Sequence, residues 1–180
     1  MSAHIEKWER YRDSRLGTYE FRARTRYRDV ADCLRSLGLN NQHTVLDVGA
    51  GSCQFGRFLR EQNFQGTYIP VDAVIDGTDL ETWYPPKRVD FIVCIETLEH
   101  LSDPLRLLRS LIRAARLGVV ITTPNPDVVD AINCDPTHLT SLSSYDLKRM
   151  LLTVETHSWF GTPKDSLLAW GSYGPRIECF

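Results

Sequence analysis

The apolar positions of this chain alternate between short runs and longer stripes. Tyr27, Val30, Ala31, Leu34 and Leu37 recur at helical spacing and stop at Gly38, which predicts a helix. Thr44–Val48 is a short apolar run closed by Gly49, the pattern of a buried strand, and a second helix opens at Phe55–Leu59 directly after the glycines. Thr67–Val71 and Val89–Ile95 are the next two strand runs. Ser102-Asp103-Pro104 marks a helix start with proline at the first helical position, and Leu105, Leu108, Leu111 and Ile112 carry its apolar stripe. Leu117–Thr122 is a β-branched strand ending at Pro124, and Ser143–Leu152 is a shorter capped helix. Val154–Phe160 and Leu167–Trp170 read as a closing antiparallel hairpin.

Strands alternating with helices predict an α/β, Rossmann-like, doubly wound sheet, mostly parallel with an antiparallel C-terminal hairpin strand. Strand runs with little internal alternation fit a sheet covered on both faces. Ligands of such sheets bind at the carboxyl ends of the strands, where strand order reverses. A length of 180 residues with 42% hydrophobic content suits one globular domain. The expected organisation is a helical lid segment over 1–29 and the sheet domain over 30–180.

Composition narrows the partners. A formal net charge of −2 argues against a nucleic-acid-seeking protein. No apolar run approaches the roughly 20 residues of a membrane helix. The polar start, MSAHIEKWERYRD, has no signal-peptide core. These features point to a soluble, cytoplasmic protein. Cys33, Cys53, Cys94, Cys134 and Cys179 are scattered without a CxxC pair, which argues against a disulfide framework or zinc site and for small buried hydrophobes.

The most specific signal is Val45-Leu46-Asp47-Val48-Gly49-Ala50-Gly51-Ser52-Cys53, a strand, a glycine turn and a helix start. Glycines permit positive φ and close backbone approach to a ligand, and the helix start offers free N–H groups. Alone, such a turn is also compatible with a dinucleotide or phosphate loop, or with a plain structural turn. A GxGxxG fingerprint fails, because Gln54 and Phe55 occupy the place of a third close-packing glycine, and there is no GxxxxGK[ST] loop. A second signal is Asp72, which ends the Thr67–Val71 strand where a carboxylate can accept from both hydroxyls of a ribose.

Together with Gly77-Thr78-Asp79-Leu80 and the run Val89 to Leu101, these elements resemble, in order, the motifs of the class I S-adenosylmethionine-dependent methyltransferase family over roughly residues 44–125. The resemblance implies S-adenosylmethionine as cofactor. Gly49 and Gly51 would lie along its methionine part with Asp47 near the amino group. Asp72 would bind the ribose, Asp79 and Leu80 would meet the adenine with Asp76 as a competitor, and the backbone near Cys94–Glu96 would border the reacting methyl. Cys53 stands where the family often has a further glycine.

Methyl transfer to a hydroxyl calls for a base. His100, following the fourth motif, and His138, in the long loop after Pro124, are the candidate catalytic residues; each also reads as a structural, hydrogen-bonded histidine. Glu96, Glu99 and His100 share one face of a helical turn. With His138 they resemble the metal site of some RNA 3′-end ribose methyltransferases, although the expectation here is a site without metal. In residues 1–29, aromatics such as Trp8, Tyr11 and Tyr19 interleave with arginines, which reads as an amphipathic lid with Arg24 or Arg26 reaching the cofactor carboxylate or an anionic substrate. The function expected is methylation of a small, polar or anionic metabolite, with oxygen preferred over nitrogen. The alternatives are a metal-assisted RNA ribose 2′-O-methyltransferase and a non-catalytic cofactor-binding partner subunit. The short C-terminal strands leave a sheet edge open to homodimer pairing.

Overall fold

The structure is a computed structural model and describes residues 16–173, with side chains from Ala23 onward. Trp8, Tyr11, Arg10, Arg12 and Arg15 of the expected lid, and Cys179, lie outside the described residues. Helix α1 (Leu16–Ser36) leads to β1 (Thr44–Val48), α2 (Gln54–Glu61), β2 (Thr67–Val71) and a single turn, α3 (Ala73–Asp76). Then come β3 (Val89–Ile95), a 3-10 turn (Leu98–His100), α4 (Pro104–Ala114) and β4 (Ala115–Pro124). The chain closes with α5 (Ser144–Arg149), β5 (Thr153–His157) and β6 (Ser166–Ser172). The helix α1 runs through position 29 without a break.

The six strands form one sheet in the order β2-β1-β3-β4-β6-β5. The first four strands are parallel, and β6 inserts between β4 and β5, antiparallel to both. The mostly parallel Rossmann-like sheet expected from the alternation is therefore present. Its strands are dry on both sides: Leu46, Ile92 and Cys94 pack toward Leu107, Leu108 and Leu111 of α4, whereas Val45, Phe91 and Val93 pack toward Val30 and Leu34 of α1 and Phe55 and Leu59 of α2. This two-sided burial explains why the strand runs lack polar alternation. Strand order reverses at β1, whose chain continues to β2 on one side and whose other neighbour is β3, so a crevice opens between the carboxyl ends of β1 and β3.

Local signals set most element ends. Asp103 caps α4 by accepting from the Arg106 N–H at 3.0 Å, with Pro104 in the first turn. Ser143 and Asp146 form a reciprocal capping box on α5. That helix ends at Arg149 rather than Leu152, with Leu151 at positive φ. The β5 strand also stops early, at His157. Buried Asp165 accepts from the backbone N–H groups of Trp159, Phe160 and Thr162, each at 2.9 Å, and folds 158–165 into a loop. Of the described cysteines only Cys94 is buried; Cys33 and Cys53 are half-buried and Cys134 is exposed, which corrects the expectation of buried thiols. No helix among the described residues is long and apolar enough to cross a membrane.

Candidate active site

Gly49 and Gly51 sit at φ +79° and +51°, the left-handed region open to glycine. A Cβ on Gly49 would lie 2.2 Å from Thr97 Oγ1, so the turn after β1 lies flush against the chain leaving β3. A Cβ on Gly51 would meet nothing within 4 Å. One glycine is thus fixed by packing and the other faces open space at the crevice. The Gly49 and Ala50 N–H groups donate to the Val71 carbonyl at 2.9 and 3.2 Å, tying the turn to the end of β2.

Asp72 connects the two motifs directly. Its Oδ2 accepts from the Gly51 N–H at 2.8 Å, while its Oδ1 caps α3 through the Val74 N–H at 2.8 Å. Each oxygen has a second lone pair, so the carboxylate can still accept two hydroxyls of a ligand.

Beneath the turn, Asp47 is buried and accepts a short hydrogen bond from the Tyr68 hydroxyl. Tyr68 is packed so tightly against α2 that a Cβ on Gly56 would meet its ring at 2.4 Å. Gly56 therefore supplies the close helix-to-strand packing for which the sequence offered no glycine at 54 or 55. Burial pushes the Asp47 carboxyl up to about 7, against the opposing Tyr68 hydrogen bond and helped by the charge on Asp72. A carboxyl raised above its ordinary value of 3.8 favours the fold most when protonated. That contribution is fully present below about pH 4 and is lost as pH rises through about 7. The stability advantage of the wild type over Asp47→Asn is accordingly expected to shrink between about pH 4 and 7 in urea titrations. A difference that is flat or grows with pH contradicts this environment for Asp47.

Asp79 is exposed, accepting from the Glu81 N–H at 3.0 Å, and Leu80 beside it is half-buried. The irregular 77–84 segment is anchored by two groups to which sequence reading assigned no role. Glu81 accepts from the N–H and hydroxyl of Ser102 at 2.7 and 2.9 Å. Arg106 donates to the carbonyls of Trp83 and Leu80 at 3.0 and 2.5 Å. Asp76 is used locally: its Oδ1 accepts from the Thr78 N–H at 3.0 Å, and the Thr78 hydrogen bond lowers its pKa.

The two lid arginines separate. Arg24 is half-exposed and pairs at 2.6 Å with Glu61, the last residue of α2, so it lies at the far end of that helix from the glycine turn. Arg26 is 2% exposed, with Nη1 3.7 Å from Glu96 Oε2 and its guanidinium 5.3 Å from the Phe160 ring centre. Trp159, next to Phe160, donates its Nε1–H to Asp29 of α1 at 2.7 Å, and His157 Nδ1 lies 3.0 Å from the same oxygen. The β5–β6 loop and α1 thus clamp Arg26 over the end of β3. Glu96 follows β3 at φ +47°, and its N–H donates to the Thr122 carbonyl at 3.1 Å. Replacing Arg26 with leucine leaves Glu96 buried without its counter-charge and is expected to cost about 3–5 kcal/mol in urea denaturation. Adding Glu96→Gln should recover part of that loss; no recovery would mean the two charges are not coupled.

Glu99 is fully buried; its Oε2 accepts from the Thr123 hydroxyl at 3.3 Å, and its Oε1 has no hydrogen-bond partner among the described residues. Burial, reinforced by the charge of Glu96, holds its pKa well above the carboxylate range. Beside it the rings of His100 and His138 meet edge-on, 4.8 Å between centres. His138 Nδ1 makes a short contact with the Ala131 carbonyl and lies 3.8 Å from Cys134 Sγ, which anchors the loop after β4. Ligand-type atoms of Glu99, His100 and His138 all lie within 4.8 Å of one another, a grouping that leaves out Glu96.

These residues gather Asp47, Gly49, Gly51, Asp72, Glu96 and Arg26 around the β1–β3 crevice, with His100 and His138 adjoining. A turn with one glycine facing open space, a carboxylate bonded to that turn and a buried arginine nearby fit S-adenosylmethionine. Together with the sheet order, they define a Rossmann-like fold with a crevice at the carboxyl ends of β1 and β3.

The methyltransferase domain family matches residues 21–174, and the chain belongs to that family of class I, S-adenosylmethionine-dependent methyltransferases. It is 27% identical over 128 residues to the trans-aconitate 2-methyltransferase of Azoarcus sp. (strain BH72), covering 63% of this chain and 49% of that protein. It is 31% identical over 75 residues to the ubiquinone biosynthesis O-methyltransferase of Proteus mirabilis (strain HI4320), covering 42% of this chain and 29% of that protein. The chain thus spans about half, or less, of the length of these curated relatives. In fold it is similar to a SAM-dependent methyltransferase from Archaeoglobus fulgidus, with TM-score 0.66 and 19% identity over 91% of this chain and 99% of that one. It is equally similar to the plantazolicin methyltransferase BpumL, solved in complex with a triazolic desmethylPZN analog and SAH, with TM-score 0.66 and 14% identity over 96% and 92% of the two chains.

Proposed function

We propose that this protein methylates a small, polar or anionic metabolite, at oxygen in preference to nitrogen. The observation that carries the reading is the Asp72–Gly51 bond at the open face of the crevice, 2.8 Å long, with the His100–His138 pair adjoining. When bound, S-adenosylmethionine supplies an electrophilic methyl on a sulfonium. In this reading Gly49 and Gly51 lie along the methionine chain, and Asp47 and Glu96 border its amino group. Arg26, already compensated by Glu96, reaches the carboxylate end. Asp72 holds the ribose, and Asp79 with Leu80 meets the adenine. The loop after β4 closes over the acceptor.

His100 takes the proton of a hydroxyl acceptor, with His138 as its neighbour and second candidate. The names of the relatives support both parts of the acceptor assignment: one acts on trans-aconitate, an anion, and the other is an O-methyltransferase. The protein works in the cytoplasm, and the β5 edge serves pairing in a homodimer. The test is S-adenosylhomocysteine release with a panel of carboxylic acids, phenols and amines. Oxygen acceptors are expected to turn over, and His100→Asn is expected to slow hydroxyl acceptors by about 10²–10⁴-fold. Turnover confined to amines would refute the oxygen assignment.

A second reading is favoured by one observation, the close approach of Glu99, His100 and His138. Two histidines and a carboxylate can hold a divalent ion that lowers the pKa of a ribose hydroxyl, as in metal-assisted RNA 2′-O-methylation. Methylation of an oligoribonucleotide that requires added Mn²⁺ or Mg²⁺ would select it; activity on small acceptors in excess chelator would exclude it.

A further inference from the structure

We infer that Thr137 and Asp135 are positioning residues that hold His100 with its proton on Nδ1, so that Nε2 carries the lone pair. The functional meaning of this network rests on the proposed role of His100 as base. The argument begins at Asp135, whose carboxylate at neutral pH can only accept. The Thr137 hydroxyl lies 2.6 Å from Asp135 Oδ1, so its single proton is committed there. The Thr137 N–H donates to the same oxygen at 2.8 Å, which fixes the hydroxyl relative to the carboxylate.

With its proton spent, Thr137 Oγ1 can only accept from His100 Nδ1, 3.0 Å away. The same nitrogen lies 3.2 Å from the Thr137 carbonyl, which also can only accept. A nitrogen facing two acceptors carries the hydrogen, and in a neutral imidazole that leaves the lone pair on Nε2.

Thr137 is 1% exposed, so water does not compete for its hydroxyl. The loop that supplies it is pinned to the turn carrying His100: Leu139 and Thr140 donate their N–H groups to the Glu99 carbonyl at 2.8 and 3.1 Å. The order carboxylate, hydroxyl, imidazole applies the logic by which a third group orients a catalytic base, with a threonine as the intermediate link. The threonine between Asp135 and His138 supplies a hydroxyl that accepts from the ring while donating to the acid.

The test is long-range proton–nitrogen correlation on ¹⁵N-histidine-labelled protein at about pH 8, where histidine is neutral, with the His100 signals assigned by their loss in His100→Asn. The expected result is a protonated Nδ1 and an unprotonated Nε2 at His100. Thr137→Val, which removes the hydroxyl at nearly constant volume, should convert this to a mixture with the Nε2–H form, and Thr137→Ser should restore it. A wild-type Nε2–H tautomer, or a valine variant with an unchanged spectrum, would overturn the inference. None of these readouts needs an acceptor. Full activity of His100→Asn on a hydroxyl acceptor alongside the expected spectra would support the positioning network while overturning the base role.

Discussion

Replacing Asp72 with alanine is expected to weaken S-adenosylmethionine binding by about two to three orders of magnitude while leaving the fold intact. The residue is half-buried, so its loss opens no core cavity. Removing the cap from the single turn α3 costs only about 1 kcal/mol. Binding suffers more, because one carboxylate carries two functions. It orders the glycine turn through the Gly51 N–H at 2.8 Å, and in the proposed function its remaining lone pairs accept from the ribose hydroxyls. Hydrogen bonds to a charged group contribute about 1.5–3 kcal/mol each, so losing two near the lower end, about 3–4 kcal/mol, corresponds to the stated two to three orders. Asp72→Asn retains one carbonyl oxygen and should fall between wild type and alanine. Calorimetric titration together with thermal melts separates the effects; a large drop in melting temperature with unchanged affinity would make Asp72 purely structural.

The second large effect is on stability. Gly49→Ala is expected to lower stability by about 3 kcal/mol or more, because two costs add. An L-residue held near φ +79° costs about 1–2 kcal/mol. The new methyl would also sit 2.2 Å from Thr97 Oγ1 and 2.3 Å from Thr97 Cγ2, forcing apart the ends of β1 and β3. Thr97→Gly in the same chain should recover the steric part and leave the backbone part. Gly51→Ala makes the contrast: its methyl meets nothing within 4 Å, so stability should fall only by the positive-φ cost of about 1–2 kcal/mol, while cofactor affinity falls sharply. Equal destabilisation by the two alanines would show that Gly51 is not at an open face.

Much of this architecture is legible in the sequence because it is encoded locally. The β1 and β3 runs are apolar on both faces, the Asp103-Pro104 and Ser143 caps lie within a few residues of what they cap, and the acids at 47 and 72 end their strands. What could not be read depends on contacts distant in sequence. Nothing near Gly56 announces the Tyr68 ring it accommodates, nothing near Glu81 points to Ser102, and nothing before Asp165 shows that it would draw Trp159 and Phe160 out of a strand. Arg26 is the instructive intermediate case. It was one arginine among many, yet it lies three residues after Ala23 and four before Val30, on the inward stripe of α1, whereas Arg24 is turned about 200° away from it. Helical phase alone separates the buried arginine from the surface one. The tautomer of His100 lies at the other extreme, because it is set by a loop whose position no periodicity encodes.

The most direct test of the central claim is calorimetric titration of the intact protein with S-adenosylhomocysteine. Saturable one-to-one binding, with a dissociation constant of about 1–100 μM, is the result predicted for a crevice built by Gly49, Gly51 and Asp72, and corresponds to about 5–8 kcal/mol of binding free energy. The absence of heat and of thermal stabilisation at millimolar ligand, in a protein shown to be folded, would contradict it.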